Sequence, residues 1–168
     1  WMTFDEGYGS KPEFMREWSR RNQNYVGEVP RSFAAWLDPP RVVNRRYRRN
    51  GKGRGRKVPR LACDSPPTRR VDELLNNKRL SDQPWKRFHV KDGEKGPMVW
   101  ECKHTMITVK DAQGLPGQRL HLVVARNVLE PDERKFFVSN GPDETRLERL
   151  VPGFFPRFGV ERSFVSDT

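Results

Sequence analysis

Trp1-Met2-Thr3-Phe4-Asp5-Glu6-Gly7-Tyr8-Gly9-Ser10-Lys11-Pro12-Glu13 is the stretch from which the fold is read. Residues 1–4 are strand formers, and Asp5-Glu6-Gly7-Tyr8-Gly9 is a polar, glycine-bearing turn. Ser10 and Glu13 stand at capping-box spacing. The sequence therefore predicts a helix from Ser10 to about Arg21, with Phe14, Met15 and Trp18 on its apolar face. Tyr25–Val29 follows as a short strand stopped by Pro30. Strand, turn, helix, strand is an α/β unit. Asp5 falls where its strand gives way to the helix, the end of an open sheet that usually carries the chemistry.

Outward from that unit the pattern changes. Residues 71–80 read as a short charged helix, and a run of strand-like segments comes next. Residues 85–90 and 99–109 flank Asp92-Gly93-Glu94-Lys95-Gly96-Pro97 as the arms of a hairpin, and 120–126 and 135–139 are two more strands. Helix returns at 143–150 and again from about Pro156, a residue tolerated in a first turn. Trp1 in a strand-like run and Ser166-Asp167-Thr168 in a helical one read as interior positions of a longer protein.

The composition sets bounds. The 168 residues are 34% hydrophobic and 33% charged, which supports one domain with a modest core. Apolar runs such as Leu122-Val123-Val124-Ala125 are far shorter than the roughly 20 residues a bilayer requires. Two cysteines, Cys63 and Cys102, exclude a disulfide scaffold and point to a reducing, cytoplasmic setting without a membrane partner.

The charge is concentrated. Arg41, Arg45, Arg46, Arg48, Arg49, Lys52, Arg54, Arg56, Lys57 and Arg60 are ten cations in twenty residues with no acidic neighbour, and they supply almost all of the net +11. Gly51, Gly53 and Gly55 are interleaved, so this stretch is expected to be a flexible loop. As a function it reads as a phosphate clamp, since each neutralised phosphate releases counterions. No G-x-x-x-x-G-K-[ST] or G-x-G-x-x-G motif accompanies it.

Phe154, Arg157, Glu161 and Thr168 are spaced three, four and seven apart, so on a helix they form one stripe. Phe158 and Val165 lie beside it. A carboxylate in that apolar setting needs a positive partner. Arg157, one turn earlier, is one candidate and a metal ion is the other. Cys102 and His104, with Cys63 and either His89 or His121, lack C-x2-C or H-x3-H spacing and make a poor zinc site.

Phe154-x2-Arg157-x3-Glu161-x6-Thr168 resembles the Y-x2-R-x3-E-x6-K signature of DDE insertion-sequence transposases, with Phe for Tyr and Thr for Lys. Phe4-Asp5-Glu6-Gly7-Tyr8-Gly9 resembles the D-x-x-Y-G segment around their second catalytic aspartate. Lys135-Phe136-Phe137-Val138-Ser139-Asn140 is similar to the strand ending in S-N before the glutamate helix. Trp85 and Asp92-Gly93-x-Lys95-Gly96-Pro97-x-x-Trp100 resemble the β-rich region of that group. The matches run in order along nearly the whole chain.

The resemblance implies an α/β fold, a partial ribonuclease H-like domain with a β-rich insertion between the last core strand and the glutamate helix. Residues 1–30 would be core, 31–140 the insertion (basic loop 41–60, β-rich region 85–139) and 141–168 the completing helices. It implies Asp5 and Glu161 as catalytic metal ligands for two Mg²⁺ or Mn²⁺ ions. Arg157 and the basic loop would contact DNA, both transposon ends and target. The full-length protein would act as a homodimer in the bacterial cytoplasm, at the nucleoid. With no aspartate ahead of Asp5, these residues alone are expected not to cut DNA. Two rivals stand beside this reading: a non-catalytic basic nucleic-acid-binding module, and another ribonuclease H-like nuclease.

Overall fold

The computed structural model describes residues 1–47, 55–93 and 96–155. Strand β1 (Met2–Phe4) leads through two helices, α1 (Glu6–Gly9) and α2 (Pro12–Arg20), into β2 (Tyr25–Val29), which lies parallel to β1 with Phe4 beside Gly27. The expected α/β unit is present, with a different start to its helix. Ser10 does not cap α2; its hydroxyl donates to the Gly7 carbonyl and closes α1, while Lys11 occupies the cap of α2 without a side-chain bond. The turn at residues 6–9 is itself a helical turn, and it claims the serine first.

Next come β3 (Ala34–Ala35), β4 (Val42–Tyr47), β5 (Arg56–Leu61), β6 (Arg69–Arg70), α3 (Val71–Leu74) and α4 (Lys78–Ser81). The single helix expected over residues 71–80 is two, because the Asn77 side chain accepts from the Arg79 amide and starts a new helix there. The long strands β7 (Lys86–Gly93), β8 (Gly96–Lys110), β9 (Pro116–Asn127) and β10 (Arg134–Ser139) precede α5 (Leu147–Phe154).

One six-stranded mixed sheet organises these elements, in the order β1-β2-β10-β9-β8-β7. Strand β10 runs antiparallel to both β2 and β9, so the β-rich region continues the sheet that β1 and β2 begin. Both faces are covered. On one, Met15 of α2 and Val71, Leu74 and Leu80 of α3 and α4 pack on Tyr25, Leu122, Val124 and Phe136. On the other, Leu150, Val151 and Phe154 of α5 pack on Val26, Val123 and Phe137. Each such side chain contributes about 1.5–3 kcal/mol by leaving water.

The basic stretch departs from expectation. Where its residues are described it forms an antiparallel two-stranded ribbon, β4 with β5, rather than a loop. Val42, Val43, Tyr47 and Val58 supply the strand preference that the count of cations and glycines obscured. Arg48, Arg49, Lys52 and Arg54 lie outside the described residues.

Helix α5 begins at Leu147, later than expected, and ends at Phe154; Phe155 has left helical geometry (φ −119°, ψ 51°). Phe154 therefore belongs to this helix, and the expected stripe is not one unbroken helix. Arg157, Glu161, Thr168 and the final helix expected from Pro156 lie outside the described residues.

Candidate functional site

Asp5 stands at the carboxyl end of β1. Its Oδ1 accepts from the backbone amides of Gly7 (3.1 Å) and Tyr8 (3.4 Å), capping α1, and Oδ2 carries no hydrogen bond among the described residues. The cap fixes the carboxylate's orientation and leaves one oxygen open.

The glycines around Asp5 let the backbone close in. Helix α1 lies against β2, and a Cβ at position 9 would fall 1.9 Å from the Glu28 carbonyl oxygen. At position 27 a Cβ would fall 1.8 Å from the Phe4 ring, which lies across β2 there. At position 9 the obstacle is backbone, so glycine is required; at position 27 any side chain would displace the Phe4 ring.

Beside Asp5 opens a cavity of about 900 Å³, lined by β1, α1, β2, β10 and the end of α5. Its polar groups include Asp5, Glu28, Glu133 and Lys135. Lys135 Nζ bridges both oxygens of Glu28, at 3.1 and 3.3 Å, across the β2–β10 pair. Its apolar lining includes Phe137 stacked on Phe154 with ring centroids 4.5 Å apart, and Trp100, whose buried indole Nε1 has no acceptor among the described residues. The sequence offered no sign of this cavity or of the Glu28–Lys135 pair, because residues 107 positions apart meet only through strand pairing.

A sequence profile for the DDE superfamily endonuclease family matches residues 1–97, more than half of the chain. The chain belongs to the DDE superfamily endonucleases. No curated protein matches it. The matched segment contains β1, Asp5, α1, α2, β2 and the β4–β5 ribbon, so the Asp5 end of the sheet and the basic arm both lie in the endonuclease match.

The other expected site residues that are described lie on or beside the basic ribbon. Arg45, Arg46, Lys57 and Arg60 are exposed on the ribbon, with Arg41 just before it; Arg56 pairs with Tyr47. Arg41 approaches Asp64 at 3.7 Å, and Arg45 Nη2 donates to Cys63 Sγ at 2.6 Å.

His104 and His121 stack, with Nε2 of the first 2.8 Å from Nδ1 of the second, and His121 Nε2 lies 2.8 Å from the Pro142 carbonyl oxygen. Burial, with the charge of Glu101 adding to it, pushes the Cys102 thiol up to about 12. Among the described residues no three His, Cys, Asp or Glu side chains gather as a metal set. Ser139 accepts from the Gly141 amide at 3.1 Å, as turn chemistry requires. No helix among the described residues is long and apolar enough to cross a membrane.

Asp5 suits a hard divalent cation in one respect. Mg²⁺ is usually held by only one or two carboxylates, with water and phosphate oxygens completing the shell, and Asp5 offers one oriented carboxylate with an open oxygen.

Proposed function

We propose that this chain belongs to a DDE-type insertion-sequence transposase with a ribonuclease H-like catalytic domain. It hydrolyses phosphodiester bonds at transposon ends and joins them to target DNA. Asp5 and Glu161 hold the Mg²⁺ or Mn²⁺ ions. Held there, such ions would supply activation of the attacking oxygen and stabilisation of the leaving one during in-line displacement at phosphorus. Arg157 orients Glu161 or meets a phosphate, and the cations from Arg41 to Arg60 hold the DNA backbone. The full-length protein works as a homodimer.

The observation that carries this reading is Asp5 itself. Its carboxylate accepts hydrogen bonds from two backbone amides at the end of a parallel strand pair, with one oxygen open beside a cavity, inside the matched segment. The ribbon supplies the cationic surface that a DNA substrate needs.

The test is paramagnetic. Mn²⁺ added to the labelled chain should broaden the amides around Asp5 and Glu161, and Asp5→Asn should abolish this. Absence of broadening at both places sinks the metal assignment and favours a non-catalytic DNA-binding module. We further propose that the 168 residues alone do not cut DNA. Mg²⁺-dependent cleavage by them, lost in Asp5→Ala, would show that no further carboxylate is required.

A further inference from the structure

The β4–β5 ribbon has two unlike faces. Its register sets Asn44 opposite Pro59, Arg45 opposite Val58 and Arg46 opposite Lys57. Strand alternation therefore gathers Asn44, Arg46, Lys57 and Pro59 on one side and Val43, Arg45, Val58 and Arg60 on the other. On the second side Val43 and Val58 are half-buried, and Arg45 and Arg60 are exposed with Arg45 bonded to Cys63; at the base of the ribbon the first side also carries exposed Val42 and half-buried Leu61. On the first side Asn44, Arg46, Lys57 and Pro59 are all exposed.

Arg46 and Lys57 make an unfavourable pair. Like charges directly across two strands are destabilising, and neither residue has an ion-pair partner among the described residues. Neither β4 nor β5 contains an acidic residue that could relieve them. An electronegative partner from outside the chain would relieve their repulsion.

The shape of that partner follows from the ribbon. Six residues per strand span about 20 Å, and the strands lie about 4.8 Å apart. The major groove of B-form DNA, about 12 Å wide, admits a two-stranded ribbon of this kind. Neighbouring side chains on one face are about 6.8 Å apart, close to two base-pair steps of about 3.4 Å. Arginine and lysine suit the acceptor edge of guanine there, and asparagine suits adenine.

We propose that the β4–β5 ribbon lies in the major groove of duplex DNA with the Asn44–Arg46–Lys57 face toward the base edges. This rests on the DNA reading above and adds sequence preference to an arm otherwise read as a backbone clamp. Holding only phosphates requires no asparagine between cations and no fixed register; reading base edges uses both.

The test is selection from randomised duplexes with the full chain in EDTA, so that no cleavage intervenes. The wild type should enrich fixed positions. Asn44→Ala should lose about tenfold discrimination at one adenine with the salt dependence unchanged. Arg46→Gln should lose a similar factor at one guanine, with affinity for duplexes lacking that guanine little changed. Replacing that guanine by 7-deazaguanine should weaken the wild type and leave Arg46→Gln unaffected. Thermal melting of each variant checks that these exposed changes leave the fold intact. Salt-dependent binding with no enriched position, or equal binding to an A-form RNA duplex, whose major groove is too deep and narrow, overturns the groove placement alone. No binding to DNA at all overturns it together with the DNA reading.

Discussion

Gly9 approaches the backbone of Glu28 so closely that a Cβ at position 9 would fall 1.9 Å from the carbonyl oxygen and 2.9 Å from its carbon. The close approach seats α1 on β2, and α1 is the helix that Asp5 caps. Because the obstacle is backbone rather than a flexible side chain, Gly9→Ala must lift α1. A loss of about 1–3 kcal/mol is expected, read as a lower urea midpoint with unchanged slope. The Asp5 carboxylate shifts with the helix, so any Mn²⁺ broadening at residues 5–8 should weaken as well.

Asp5 has a structural task and a proposed chemical one, and two substitutions separate them. Asparagine caps helices about as well as aspartate, so Asp5→Asn should keep stability within a few tenths of a kcal/mol, whereas Asp5→Ala should lose about 1 kcal/mol. Metal-dependent broadening should vanish in both. Equal broadening in wild type and Asp5→Asn would assign the residue to capping alone.

Legibility in the sequence followed the range of the interactions. Strands β2, β9 and β10 were readable because each contains a short apolar run bounded by turn residues. Asp5 was readable because strand, acidic residue and glycines follow one another in the chain. Local competition hid other features. Ser10 bonds back to Gly7 instead of forward into α2, and Asn77 divides one expected helix into two. In the basic stretch cations and glycines outnumber the valines that pair as a ribbon, so composition suggested a loop where register makes a hairpin. The Glu28–Lys135 bridge and the His104–His121 pair were out of reach, since each depends on which strand lies beside which.

Asn140 shows how a motif associated with a family can be fully occupied in building the fold. Its Oδ1 accepts from the Tyr25 amide at 2.7 Å, and its Nδ2 donates to the Gln23 carbonyl at 2.9 Å and to Ser19 Oγ at 3.4 Å. One side chain thus ties the end of β10 to the turn between α2 and β2. Asn140→Ala should cost about 2 kcal/mol, because partly buried backbone groups lose their partners. Amide exchange at Tyr25 should accelerate, while Mn²⁺ broadening at Asp5 should persist.

His104 makes the stability depend on pH. Burial, with the neighbouring His121 adding to it, pulls its folded value from 6.5 down to about 4, and the Glu148 charge opposes this weakly. Glu148 is engaged by Lys86, which limits its help. The ring is thus neutral in the fold through a range where the unfolded chain takes up a proton. Stability from this group is therefore complete above about pH 6.5 and is lost as pH falls toward about 4. For this partly exposed ring the loss should be about 2 kcal/mol. Urea midpoints should fall across that interval in the wild type, and His104→Gln should flatten the fall. A midpoint that stays level in the wild type would mean that the His104–His121 pair accepts its proton in place.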